Sequence, residues 1–238
     1  MRYWLVMPAA GKGRRFGDSV PKQYAPLRGR TVIEWALAPF LVDTRCAGAV
    51  VVVAAGDPYW ARVAARVPRA ISAIGGAERC DSVRRGLSSL EDRVDRADWV
   101  MVHDAARPCL EEADLDQLIE QGQKHAVGGL LAIPAADTLK RGRSGGEVLE
   151  TVDRSGLWRA LTPQMFRFGR LCEALDAAAT AGRTPTDEAQ AVEWLGDSPL
   201  LVAGSSANIK VTTGDDLLIA AALLGAREGD HTAGRRVT

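Results

Sequence analysis

The sequence is short of the residues that build metal centres and disulfide frames. Its 238 residues include four cysteines and three histidines. Cys46, Cys80, Cys109 and Cys172 lie far apart and form no CxxC pair. They read as free thiols of a reducing compartment, not as a disulfide framework or a zinc site. His103, His125 and His231 have no ligand spacing. Net charge is absent as well: 30 Lys and Arg balance 30 Asp and Glu. Such a chain has no global field for gripping nucleic acid or an anionic membrane. No apolar run approaches the ~20 residues that span a bilayer, and the opening stretch to Pro8 is too short for a secretory signal. A cytoplasmic protein with no nucleic-acid and no membrane partner is expected, and any anion site must be local. What is present is ordinary globular material, 47% hydrophobic and 25% charged. A chain of this length buries roughly 70% of its unfolded surface and needs no covalent staple.

Apolar runs at 3–7, 49–54, 70–74, 99–102 and 129–133 are nearly continuous, as in strands covered on both faces. Amphipathic stretches at 31–41, 57–67, 81–90 and 111–124 separate most of them. The helix at 31 opens on a capping box of Thr31 and Glu34, and that at 57 on Asp57 followed by Pro58. This alternation predicts an α/β fold with a mostly parallel sheet and helices on both faces. Residues 137–159 are polar around a turn at Gly142–Gly146. They read as a protruding β-arm, and because an isolated hairpin is marginal in water, the arm is expected to dock on a second copy of the chain. Helical periodicity returns at 168–181 and 187–195. A short apolar run at 200–203 and a strand-like run at 208–211 follow, then a last helix from about 213 to 224. One domain over 1–225 with a flexible tail at 226–238 is expected.

The first strand runs into Pro8-Ala9-Ala10-Gly11-Lys12-Gly13-Arg14-Arg15-Phe16-Gly17. Small residues after a buried strand let backbone N–H groups approach a ligand closely. The spacing fits neither GxxxxGK[ST] nor the GxGxxG dinucleotide fingerprint, and no acidic residue closes the second strand. Lys12, Arg14, Arg15 and Lys22 place four cations within eleven residues, the pattern of a dense anionic ligand such as a triphosphate. A glycine-rich turn with solvated charges is the bland alternative. The loop's position at the carboxyl end of a buried strand favours the ligand.

Asp104 follows another buried strand and is placed to hold Mg²⁺ on nucleotide phosphates, and Arg107 to clamp a second anion. A purely structural Asp104–Arg107 pair is the alternative. Gly76 and Ser82 could read a base edge, or merely form a turn and a helix cap. Lys210 near Asn208 could be a solvated edge residue. Thr138, Arg154, Thr162 and Thr186 carry no signal of their own, and His103 reads as a satisfied strand residue.

The motifs PAAGKGRRFG, PKQY, GGAERCDSV, VHDAARP, DTLK, TVDRSGLWRALTPQ, TDEAQ and NIKVT, in this order, resemble those of the 2-C-methyl-D-erythritol 4-phosphate cytidylyltransferase family, from Leu5 to about Leu224. The resemblance implies a Rossmann-like α/β fold and a homodimer. It implies transfer of CMP from CTP to 2-C-methyl-D-erythritol 4-phosphate, with Mg²⁺, in the non-mevalonate route to isoprenoids. By the same resemblance Arg15, Lys22 and Lys210 are the catalytic cations, and Ala10, Gly11, Gly76 and Ser82 hold the nucleotide. Arg107, Thr138, Arg154, Thr162 and Thr186 contact the acceptor, the arm residues Thr138 and Arg154 crossing to the partner subunit, and Asp104 holds the metal. Two positions depart from the family pattern. Ala77 stands where an acidic residue is common, leaving base recognition to the backbone, and Phe16 stands where methionine is common. A cytidylyltransferase acting on ribitol 5-phosphate is the rival enzyme. A nucleotide-binding sensor without turnover is the rival of another class.

Overall fold

The computed structural model describes residues 1–11 and 20–233. In chain order, β1 (Tyr3–Pro8) is followed by a tight turn at Lys22–Tyr24, the two-residue strands β2 (Pro26–Leu27) and β3 (Arg30–Thr31), and α1 (Val32–Val42). Then come β4 (Cys46–Val53), α2 (Trp60–Ala64), β5 (Ala70–Ile74), α3 (Arg79–Ser88), β6 (Trp99–Val102), α4 (Glu112–Gly122) and β7 (Gly128–Pro134). A hairpin of β8 (Leu139–Gly142) and β9 (Val148–Val152) precedes β10 (Trp158–Arg167), α5 (Phe168–Thr180), α6 (Glu188–Glu193), β11 (Leu200–Ala203) and α7 (Gly214–Ala233).

Seven strands form one sheet in the order β11-β7-β10-β6-β1-β4-β5. All its pairings are parallel except those of β10 with β6 and β7. The two-residue side-chain period of a strand sends alternate residues to opposite faces. Leu5, Met7, Val51 and Met101 pack on one face with Ile33, Leu37 and Phe40 of α1 and Leu115 and Leu118 of α4. Val6, Val50, Val52 and Val102 pack on the other with Val83 and Leu87 of α3 and Leu171 and Leu175 of α5. Both faces are therefore covered, which is why these strands are apolar throughout. The predicted capping box of α1 is present: Glu34 accepts from the Thr31 amide and hydroxyl, both at 2.7 Å. Asp57 accepts from the amides of Tyr59 and Trp60, and the helix it opens is shorter than expected, five residues.

Three features differ from expectation. β10 was not legible as a strand, because Pro163 and Gln164 interrupt its apolar pattern and its register on β7 shifts between Ala160 and Gln164. Residues 208–211 are not a strand. They form an irregular segment fastened by the Val211 amide on the Ala106 carbonyl (2.8 Å) and by Arg107 on the Asn208 carbonyl (2.7 Å). The last helix runs on to Ala233, so residues 226–233, expected as flexible tail, are helical. Arg227 anchors this extension, donating to the Cys109 carbonyl at 3.1 Å and to Glu111 at 2.6 Å. Residues 137–159 contain the β8–β9 hairpin, which is exposed along most of its length, with Arg141 paired to Glu150 at 2.6 Å.

Candidate active site

The loops after β1, β5 and β6 leave the same carboxyl edge of the sheet, where open α/β sheets place ligands. The loop after β1 is fastened from two sides. Its Ala9 amide donates to the Val52 carbonyl at 2.7 Å, and the buried Gln23 side-chain amide donates to the carbonyls of Ala9 (2.7 Å) and Gly11 (3.1 Å). Gln23 thus ties the turn bearing Lys22 to the loop. Gly75 lets the neighbouring segment close in, since a Cβ there would fall 2.5 Å from the Ala10 side chain and 2.8 Å from the Ser82 hydroxyl. Between these segments opens a cavity of about 190 Å³, whose lining includes Lys22, Arg79, Asp104 and Lys210.

Asp104 is the electrostatic centre of this cavity. Its Oδ1 receives Arg79 Nε at 3.1 Å, and its Oδ2 receives Lys210 Nζ at 2.9 Å and Arg107 Nε at 3.4 Å. Burial alone would raise the carboxyl pKa. Arg79, Lys210 and Arg107 outweigh it and hold the group far below the usual carboxylate range. Arg79 also makes a bidentate pair with Glu188, at 2.6 and 3.0 Å, and the Glu188 side chain is only 1% exposed. Three cations thus face two carboxylates, and Lys22 adds a fourth cation to the cavity wall.

Beneath Asp104 lies a polar chain that fixes it. The Asp104 amide donates to the Thr162 hydroxyl at 3.1 Å, and that oxygen lies 2.9 Å from His103 Nδ1. His103 Nε2 faces the Arg107 carbonyl at 3.2 Å. A carbonyl only accepts, so the partners assign the proton to Nε2 and make Nδ1 the acceptor of the Thr162 hydroxyl. The ring is neutral. Burial is the main cause that brings its pKa down to about 4. The unfolded chain, with histidine near 6.5, takes up this proton first, so folding is favoured above about pH 6.5 and that share is lost as pH falls through about 4. The full effect is about 3 kcal/mol. Urea unfolding of wild type between pH 7 and 4 should show this loss, and His103→Gln, which can still hydrogen-bond, should flatten it. An unchanged slope in a folded His103→Gln protein contradicts the assignment.

A sequence profile described as IspD, 2-C-methyl-D-erythritol 4-phosphate cytidylyltransferase, matches residues 3–226. The chain belongs to the 2-C-methyl-D-erythritol 4-phosphate cytidylyltransferase family. A protein of that name from Pseudomonas paraeruginosa is 52% identical over 218 residues, covering 91% of this chain and 93% of its own. One from Halorhodospira halophila is 51% identical over 233 residues, covering 95% of each chain. Among solved structures, a 4-diphosphocytidyl-2C-methyl-D-erythritol synthase superposes with a TM-score of 0.83 at 40% identity, covering 94% of this chain and 98% of that one. The Francisella tularensis 2-C-methyl-D-erythritol 4-phosphate cytidylyltransferase gives 0.79 at 32% identity, covering 94% and 100%.

Of the residues expected to form a cytidylyltransferase site, Ala10, Gly11, Lys22, Gly76, Ser82, Asp104 and Lys210 line one cavity. Arg107 and Thr162 lie directly against Asp104 and are themselves buried. The Gly76 amide and Ser82 hydroxyl bond each other at 3.2 Å, and Ser82 donates onward to the Glu78 carbonyl. Thr138, Arg154 and Thr186 are exposed and are not brought to the cavity within one chain. Arg154 instead donates to the Ala136 carbonyl at the base of the hairpin, and the Thr186 amide donates to Gln190 at 2.8 Å. Arg15 lies outside the described residues, as do Lys12, Arg14 and Phe16.

Sequence reasoning missed Arg79, Glu188 and Gln23. Arg79 sits inside the GGAERCDSV motif and Glu188 inside TDEAQ, but nothing local pairs two residues 109 positions apart. Among the described residues no cluster of three His, Cys, Asp or Glu could cage a metal ion. Magnesium commonly binds through one or two carboxylates together with substrate phosphates. Asp104, on the cavity wall beside Lys22, Arg79 and Lys210, offers one such carboxylate and fits no fuller metal cage.

Proposed function

We propose that this chain transfers the cytidylyl group of CTP to 2-C-methyl-D-erythritol 4-phosphate, releasing pyrophosphate, and so serves isoprenoid precursor synthesis. The observation that carries the reading is the convergence of Arg79, Arg107 and Lys210 on the Asp104 carboxylate, with Lys22 on the wall of the same cavity. Family membership supplies the substrates.

An oxygen of the acceptor's phosphate attacks the α-phosphorus in line. The bond from that phosphorus to the bridging oxygen of the β-phosphate breaks, and pyrophosphate takes the electron pair. The nucleophile is already an anion, so no general base is needed. Two anionic reactants repel each other, and the barrier falls mainly through positioning and through cations set in place before reaction. Lys22 and Lys210 are the reaching cations for this task, with Arg15 as a third. Arg107 clamps the acceptor phosphate, with Thr138, Arg154, Thr162 and Thr186 around the acceptor. The backbone of Ala10, Gly11 and Gly76, with Ser82, takes the nucleotide. Asp104 would hold Mg²⁺, which when bound supplies further charge neutralisation on the phosphates.

The exposed hairpin, with Val148 61% and Leu149 49% exposed, supports a homodimer through the arm, which would bring Thr138 and Arg154 to the partner's site. Four free thiols support a cytoplasmic setting, and among the described residues no helix is long and apolar enough to cross a membrane.

The test is pyrophosphate release with CTP, ATP, GTP and UTP against both 2-C-methyl-D-erythritol 4-phosphate and ribitol 5-phosphate. Preferred turnover of CTP with the methylerythritol phosphate is expected. Preference for ribitol phosphate, or CTP binding without turnover on either acceptor, overturns the reading.

A further inference from the structure

Arg79 does more in this structure than line the cavity. Its Nε binds Asp104 Oδ1, while both terminal nitrogens bind the two oxygens of Glu188. All three nitrogens of the guanidinium are used, and only a planar fork presents donors in this pattern. Glu188 is itself rigid. Its side chain is 1% exposed, and the start of α6 that carries it is fixed by Gln164 of β10, which accepts from the Ala189 amide at 2.8 Å and donates to Asp187 at 2.9 Å. With Oδ1 of Asp104 taken by Arg79, the Oδ2 edge is left to Lys210 and Arg107. The orientation of the Asp104 carboxylate, and hence where the Lys210 ammonium rests, follows from a pair on other elements.

We propose that Arg79, carried by the buried carboxylate of Glu188, is a positioning residue that orients Asp104 and through it sets Lys210. The proposal rests on the cytidylyltransferase reading for its effect on turnover, and on geometry alone for its effect on Lys210.

Removing only one of the two partners would strand a buried charge and could unfold the protein. The variant of choice is therefore Arg79→Gln with Glu188→Gln, an amide pair without charge, made in wild-type and Asp104→Asn backgrounds. Two readouts are taken on all four proteins. One is the rate at which acetic anhydride labels Lys210 in the absence of substrate, read by peptide mass spectrometry. The other is kcat with CTP and the methylerythritol phosphate. In the wild-type background the double change should free Lys210, raising its labelling to the level of Asp104→Asn, and should lower kcat by ~10- to 100-fold, the range seen when an outer partner of a site ligand is removed. In the Asp104→Asn background it should change neither, because residues acting through a shared group are not additive. Unchanged Lys210 labelling, or a full further loss of kcat in the Asp104→Asn background, overturns the proposal, the latter by showing that Arg79 acts on the ligand directly. Wild-type protein inactive with these substrates sinks the proposed function, and the labelling cycle still decides the positioning role.

Discussion

Lys22→Ala should lower kcat by ~10²- to 10³-fold, the cost of removing one preorganised charge-stabilising donor from a site where charge builds up. The fold should survive. Lys22 is only partly buried, and the turn it sits on is held by its neighbours: Gln23 on the Ala9 and Gly11 carbonyls, and Tyr24 on Asp57 at 2.9 Å. Surface substitutions away from such anchors usually change stability by less than about 0.5 kcal/mol. The loss should fall more on kcat than on KM for CTP, because charge at the α-phosphorus is greatest in the transition state. Lys22→Arg should recover part of the rate by restoring the charge. Near-normal turnover in a folded Lys22→Ala protein removes this lysine from the mechanism.

The stretches that sequence reasoning read well are those where a local rule and the packing agree. The strands at 70–74 and 99–102 coincide with β5 and β6, and the apolar run at 200–203 is β11, since a short run of apolar residues between turns has few other folds open to it. That Ala10, Gly11 and Asp104 would share one cavity could be read from their place just past strand ends, at the carboxyl edge of a parallel sheet, and Lys22 from its place in the same run of cations. Lys210 was found only through family resemblance. Its segment has no regular structure, and contacts with Arg107 and Ala106 hold it in place, about a hundred residues away in sequence. Arg79 and Glu188 failed for the same reason: an ion pair across the fold leaves no periodicity. β10 was hidden because its inner half, Leu161 to Phe166, mixes Pro163 and Gln164 into a buried stretch. The Gln164 amide is there to bind α6, a tertiary need that no strand propensity announces. Thr138, Arg154 and Thr186 match family motifs yet are exposed and stand apart from the cavity of a single chain.

Asp104 should prove costlier to remove than any single cation around it. It is the common partner of Arg79, Arg107 and Lys210, and taking it away leaves the buried Arg107 without the carboxylate that faces it, while its bond to the Asn208 carbonyl remains. Breaking a buried charge pair from one side costs about 3–5 kcal/mol. The exposure of Lys210 trims that cost, and about 3 kcal/mol is expected for Asp104→Ala, a fall in Tm of roughly 6–12 °C for a chain of this size. Turnover should fall as well but stay measurable, because the cations would lose their fixed arrangement while keeping their charge. The pH dependence separates Asp104 from its neighbour His103. The folded pKa of Asp104 is depressed, so its contribution is complete above the unfolded value of about 3.9 and is lost only as pH falls below that. Between pH 4 and 7 the cost of Asp104→Asn should therefore not reflect protonation of Asp104 itself. Its carboxylate does, however, favour protonated His103, opposing the burial that pulls that pKa down. Without it the histidine should resist protonation further, and the acid-side loss of stability should steepen and extend below pH 4. Calorimetric Tm values for wild type and Asp104→Asn across pH 3.5 to 7 check both points. Curves that stay parallel throughout would mean that Asp104 and His103 are not coupled, and that the carboxylate is not the charge on which this site is built.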